Sequence, residues 1–204
     1  MGKPLQRWPK WSEAALQGLA FWIGHRHSLY PHYPLGESAL VAETCNLLFA
    51  NLEPEQELYC EQQYTDLLPK TAWPRDYGIR SRADLVVVNR PSHADPVDIA
   101  KNLYAVIEVK RATAPKAQID QDLKRLAVVK HARPRVRAFL FVVAEAHRPK
   151  RFTIAEGRAW RKDFDIQGAN AHYRVRRACK AAAAFTGKES AHYACLIEVY
   201  RGRV

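Results

Sequence analysis

The 204-residue chain has no apolar run of 18 residues, so nothing in it is long enough to cross a bilayer as a helix. Its first residues, Met-Gly-Lys-Pro-Leu-Gln-Arg-Trp-Pro, contain neither an apolar segment nor a small-residue cleavage site, which leaves secretion without support. Gly2 follows the first Met, but Gln6 stands where a myristoylation signal wants Ser or Thr. Cysteine is sparse and scattered. Cys45, Cys60, Cys179 and Cys195 form no C-x-x-C pair, which excludes zinc-finger spacing and argues against a disulfide framework. Half-buried free thiols in a reducing cytoplasm are the expectation. Internal repeats and low-complexity tracts are also lacking.

Acidic charge is scarce in one half only. Residues 1–110 hold 11 Lys and Arg against 13 Asp and Glu, whereas residues 111–204 hold 21 against 8. The overall charge of +11 therefore lies entirely in the second half. Such a surplus favours a polyanion, with nucleic acid as the default partner and no membrane. With 48% hydrophobic and 26% charged residues, the composition is ordinary for a globular chain, and the length fits one domain.

Ser12 and Glu13 open an apolar stretch that predicts a helix to about Ile23, and the prolines of His25–Pro34 predict a loop. A second helix is expected from Gly36 to Leu52, stopping before Pro54. Residues 57–65 have strand character, and Pro69–Gly78 that of a turn region. The sequences RADLVVV (82–88), LYAVIEVK (103–110) and RAFLFVVA (137–144) predict three buried strands, and YACLIEVY (193–200) a last one. Pro115 opens a helix to about His131. Further helices are expected near 155–163 and 171–185. The Asn89–Leu103 connection should project from the sheet as a hairpin or loop. The alternation of elements predicts an α/β fold with a central mixed β-sheet flanked by α-helices.

Charge on the buried strands is the informative anomaly. Asp84 lies near the start of one strand. Glu108 and Lys110 lie near the end of the next, two residues apart and so on one face. Two charges on an apolar strand cost several kcal/mol unless something binds them. Hard oxygen ligands such as Asp84 and Glu108 suit magnesium or manganese, and the Val109 carbonyl could add a ligand. A Glu-x-Lys triplet alone arises by chance roughly 0.7 times in a chain of this size. Its weight comes from the apolar strand that carries it and the Asp-bearing strand before it.

These residues resemble the PD-(D/E)xK (restriction-endonuclease-like) nucleases. That family carries Asp on one strand, Glu-x-Lys on its neighbour and often a Glu on a preceding helix. The resemblance covers residues 36 to about 144 as a restriction-endonuclease-like core, with 145–204 as a basic extension of the same domain. Ala83 stands where Pro is common, and the interval from Asp84 to Glu108 is long. The resemblance implies that Asp84 and Glu108 hold the metal, that Lys110 orients water or neutralises phosphate charge, and that phosphodiester bonds are hydrolysed. For the helix carboxylate, Leu40, Val41, Thr44, Leu47, Leu48 and Asn51 define an inward arc at about 100° per residue. Glu37 falls within that arc and Glu43 about 100° from its centre, so Glu37 is favoured.

The expected nucleic-acid contacts are Arg111, Lys124 and Arg125, then Arg174, Arg176, Arg177 and Lys180 as a basic helix face beside Tyr173. Gln121 is a weaker candidate on a helix face that also carries Gln118 and Asp122, read as solvated. Trp160, Arg161 and Lys162 could clamp a strand end, although core packing suits Trp160 better. His25, His27 and His32 read as loop histidines. DNA is the expected substrate, with RNA cleavage, or binding without cleavage on the same fold, as alternatives. A homodimer or a partner protein is compatible with such an enzyme.

Overall fold

Val86, Val87 and Val88 in one segment and Val106, Ile107 and Val109 in the next are mostly β-branched, and such residues fit a pleated strand better than a helix. Both segments lie inside a seven-stranded sheet. The computed structural model describes residues 8–69, 71–90, 97–181 and 188–202. Its strands are β1 (Gln56–Gln63), β2 (Arg82–Asn89), β3 (Leu103–Arg111), β4 (Arg137–Ala144), β5 (Asp163–Asp165), β6 (Ala171–Lys180) and β7 (Tyr193–Arg201). Spatial order is β1-β2-β3-β4-β7-β6-β5. The sheet is mixed but mostly antiparallel, since only β3 and β4 run parallel. Parallel neighbours need a long crossover, and helix α4 (Lys116–Ala132) supplies it.

Each face of the sheet has its own apolar layer. Helices α1 (Lys10–Leu29) and α2 (Glu37–Phe49) cover one face, packing Trp11, Leu16, Leu19 and Leu40 against Leu85, Ile107, Phe139 and Phe141. Helix α4 covers the other, packing Ile119, Leu123 and Leu126 with Val86, Val106, Leu140 and Ile197. A one-turn helix α3 (Tyr64–Leu67) follows β1 on that second side. Both layers being dry, the central strands read as continuous apolar runs, and β4 is buried at every residue. No helix among the described residues is long and apolar enough to cross a membrane.

Three expectations are corrected. Helix α1 starts before Ser12, whose hydroxyl donates to Pro9 O at 2.6 Å, and it continues through His25 and His27 to Leu29. Prolines bar helix at and just before themselves, so Pro31 ends α1 at Leu29 rather than at the first histidine. Residues 155–162 form turns, bends and a single bridge from Ala159 to Thr153 instead of a helix, and Asp163 opens β5. The segment 171–180 is strand β6, whose Ala171, Tyr173 and Val175 are buried in alternation with half-buried His172, Arg174 and Arg176. That period of two outweighs the helix propensity of arginine and alanine. Strands β5, β6 and β7 thus extend the sheet that carries Asp84 and Glu108. The middle of the Asn89–Leu103 connection, 91–96, lies outside the described residues, and its two ends close on each other through Asn89 N donating to Asn102 O at 2.9 Å.

Candidate active site

The sheet comes apart at Asp84. On one side β1 pairs Cys60 with Leu85 and Gln62 with Ala83, but the Glu61–Asp84 pair between them is missing. Glu61 has a left-handed backbone, φ 54°, which costs a non-glycine residue on the order of 1 kcal/mol or more. On the other side the last β2–β3 pair is Leu85 with Ile107. Beyond it Val109, Lys110 and Arg111 pair only with β4. The Asp84 carboxylate enters the opening, its Oδ2 accepting the Val109 amide at 2.7 Å. In an extended strand the N–H and C=O of one residue point the same way, so the Val109 carbonyl faces this opening too.

Helices complete the surround. Glu37, in the first turn of α2, accepts a hydrogen bond from Lys110 Nζ through Oε1. Asp122 of α4 brings Oδ2 to 3.5 Å from the same Nζ and receives Arg125 NH1 on Oδ1 at 3.2 Å. That Oδ2 has no hydrogen-bond partner among the described residues. Glu108 is 2% exposed, and its Oε1 accepts the Tyr64 hydroxyl at 2.5 Å. Tyr64 is itself buried and stacked on Trp73 at 4.3 Å between ring centroids, which fixes the hydroxyl. Asp84, Glu37 and Glu61 line an open groove of about 530 Å³ between α2 and β1, bordered by Cys45 and Cys60.

The protonation pattern follows from burial and crowding. Burial raises Asp84, with the Val109 amide and Lys110 working against it. Burial, then the charges of Asp84 and Asp122, push Glu108 well above the usual carboxylate range. Burial lifts Asp122 up to about 6 despite Lys110 and Arg125. For Lys110 burial acts downward, yet the Glu37 hydrogen bond and the surrounding acids outweigh it and the ammonium is stabilised. The Asp84 charge is near enough to raise Glu108, and a carboxyl raised by a neighbouring carboxylate holds its proton to higher pH than usual.

The donor set fits a hard divalent cation. Asp84 and Glu108 each keep one oxygen uncommitted to the bonds above, and the Val109 carbonyl stands beside them. In this contacting set four carboxyls (Glu37, Asp84, Glu108, Asp122) face two cations (Lys110, Arg125), a surplus of two negative charges when all are ionised. No group of three His, Cys, Asp or Glu side chains forms a metal cage among the described residues. Magnesium needs none, because it is commonly held by one or two carboxylates, water and substrate phosphate.

The structure therefore brings Glu37, Asp84, Glu108, Val109 and Lys110 together, while Glu43 does not line the groove. Sequence reasoning missed Asp122, Tyr64 and Glu61. Asp122 had a readable signal, since it falls on the same helical stripe as Ile119, Leu123 and Leu126, where a charge is out of place. Gln121, beside it, is exposed. Tyr64 and Glu61 gave none, because their placement depends on where β1 ends and where its pairing lapses.

The basic residues separate into engaged and unengaged ones. Arg111 donates to Leu35 O at 2.7 Å and braces the segment leading into α2. Arg125 is held by Asp122, while half-buried Lys124 lines a groove beside Asp165. Arg174, Arg176, Arg177 and Lys180 lie on strand β6 instead of a helix face. Arg174 is bidentate to Asp163 at 2.6 and 2.9 Å, Arg176 meets Glu198 at 2.7 Å and Arg177 meets Glu13 at 2.6 Å, while Lys180 is exposed. His27, on α1, contacts Glu145 at 3.1 Å and packs its ring 4.6 Å from that of His192. All four cysteines are free, and the Cys45 and Cys60 sulfurs are 3.5 Å apart across the groove wall.

No protein-family model, curated protein or solved structure matches this chain.

Proposed function

We propose that the chain is a magnesium- or manganese-dependent nuclease of the PD-(D/E)xK type, hydrolysing phosphodiester bonds in DNA on a restriction-endonuclease-like core. One observation carries the reading. Asp84, Glu108, the Val109 carbonyl and Lys110 converge where β2 and β3 part, beside a groove, with more carboxyls than cations around them. The α2-β1-β2-β3-α4-β4 order, with a β1-β2-β3 meander and β4 parallel to β3, supports it as well.

In this reading Asp84 and Glu108 would hold the cation with the Val109 carbonyl. A cation held there would supply polarisation of the scissile phosphate and a more acidic bound water. Tyr64 fixes the Glu108 carboxylate by its hydroxyl, so that the remaining oxygen keeps its direction. Lys110 stays charged and is positioned from two sides by Glu37 and Asp122, ready to hold the attacking water or neutralise phosphate charge. Lys124 and the arginines of β6 would contact phosphates further along the polymer.

The test is incubation of the purified protein with single- and double-stranded DNA and RNA and magnesium. Cleavage is expected in wild type, with a loss of at least about a hundredfold in Asp84→Ala and Lys110→Ala. Metal-dependent cleavage that survives both substitutions would sink the assignment. Binding without cleavage in wild type moves the chain to a non-catalytic nucleic-acid-binding role, and selective cutting of RNA changes the substrate.

A further inference from the structure

Three grooves adjoin one another, and none shares a lining residue with the α2–β1 groove. The first, about 580 Å³, begins at Ala112 and Ala114, just after Lys110 and Arg111, and is bordered by Lys116, Lys150 and Arg151. Those three residues also line the second groove, about 620 Å³, which adds Lys124 and ends at Trp160. Trp160 is in turn a wall of the third, about 1100 Å³, which runs along β6 past Arg174–Ala178. Their shared lining residues make them neighbours along one stretch of surface, a track of successive grooves.

The charge on this track is one-sided. Ten Lys or Arg line it against three acids, and in the third groove Arg174, Arg176 and Arg177 are paired to Asp163, Glu198 and Glu13 while two arginines are not. Arg158 and Arg161 project there, exposed and without an ion-pair partner among the described residues. Strand β5 pairs with β6 only at His172–Arg174, so among the described residues the β6 edge beyond Arg174 carries no further strand. Charged side chains are a common guard for such an edge. Edge protection gives no account of the aromatic group at the junction. Half-buried Trp160 meets Phe164 edge to face at 6.4 Å, and Lys162 Nζ sits 5.2 Å from the Trp160 ring. An indole flanked by exposed cations on a basic path is how proteins hold unpaired bases, by stacking the base and contacting its phosphates.

We infer that this track binds one strand of nucleic acid, with a base stacked at Trp160 and phosphates at Arg158 and Arg161. The inference rests on the nuclease reading for the class of polymer, and it assigns that polymer single-stranded character.

Binding is measured by fluorescence anisotropy with magnesium chelated, so that cleavage plays no part. The probes are a labelled single-stranded DNA, the matching duplex and a poly-glutamate peptide of similar charge. Wild type should bind the single strand more tightly than the duplex or the peptide. In an Arg158→Ala, Arg161→Ala double variant the salt dependence of single-strand binding, log K against log salt, should flatten by about 1.4. Trp160→Ala should weaken the single strand by about tenfold and leave the duplex unchanged, with Trp160→Tyr restoring most of the loss. Unaltered affinity and salt slope in the double variant overturn the track, as does equal or tighter binding of the peptide. Wild-type cleavage together with unaffected track variants removes the track alone. Track binding that behaves as expected in a protein that never cleaves removes the nuclease reading alone.

Discussion

Glu108 on β3 and Glu198 on β7 are buried to the same degree, at 2% and 3% exposure, and both sit on central strands of one sheet. Their surroundings differ. Glu198 receives Arg137 Nε at 2.6 Å on one oxygen and Arg176 Nε at 2.7 Å on the other, with the Tyr200 hydroxyl donating to that second oxygen. Glu108 has a neutral hydroxyl on one oxygen and two further carboxyls for neighbours, Asp84 and Asp122. A buried carboxylate needs compensating charge, and the protein supplies it for Glu198 but withholds it from Glu108. The first is built to stay as it is. The second is the one the proposed function assigns to a cation.

Truncating a partner should separate them most strongly. Arg137→Ala leaves Glu198 half-compensated and is expected to cost about 3–5 kcal/mol of unfolding free energy in urea. Glu108→Gln in the metal-free protein is expected to do the reverse and stabilise, because the amide keeps an acceptor for Tyr64 with no charge to desolvate. If Glu108→Gln destabilises as Arg137→Ala does, the contrast between the two sites is lost.

Metal supply is the next effect in size. Magnesium at a hundred times its dissociation constant should stabilise wild type by about 2.7 kcal/mol. Thermal melts of Glu108→Gln should show little of that gain, whereas those of Arg176→Lys should keep it. An equal magnesium response in Glu108→Gln would place the binding site elsewhere.

Tyr64→Phe preserves the stack on Trp73 and removes only the hydroxyl from Glu108. A loss of about 1 kcal/mol is expected, together with weaker magnesium binding by titration calorimetry. Unchanged magnesium affinity in this variant would show that Tyr64 does not orient the carboxylate.

The finest effect is a slope with pH. The folded state raises Asp122 from 3.8 to about 6, so it holds more protons than the unfolded chain between these values. Stability contributed by this group is greatest below pH 3.8, falls as pH rises, and is fully lost above about pH 6. Asp84 and Glu108, also raised, add terms of the same sign. Denaturation at a series of pH values should show a shallower fall across this window in Asp122→Asn than in wild type. An identical profile would mean that Asp122 carries no such penalty.

The core strands were legible because their character is local. Val86–Val88, Leu103–Val109 and Phe139–Val143 are apolar whatever packs on them, and a charge within such a run marks itself. Of the helix expected over 171–185, residues 171–180 are strand and 182–185 lie outside the described residues. Arg and Ala are good helix formers individually, and only the alternation of Tyr173 and Val175 with Arg174 and Arg176 betrays strand β6. The same error put four basic residues on a helix face, when the strand hands Arg174, Arg176 and Arg177 to Asp163, Glu198 and Glu13.

By itself the sequence determined that Asp84, Glu108 and Lys110 stand out as charges on apolar strands, and that Glu37 rather than Glu43 faces them, because periodicity tells which residues share a face. It also determined the charge asymmetry that points to a polyanion. Only the tertiary structure decided that the ladder lapses at Glu61 and Asp84, and that Asp122 closes the site from α4. It also decided that Tyr64 holds Glu108 from the turn after β1, and that the basic residues flanking Trp160 form one path. Those decisions depend on which segments lie side by side across the sheet, and distance along the chain carries no record of that.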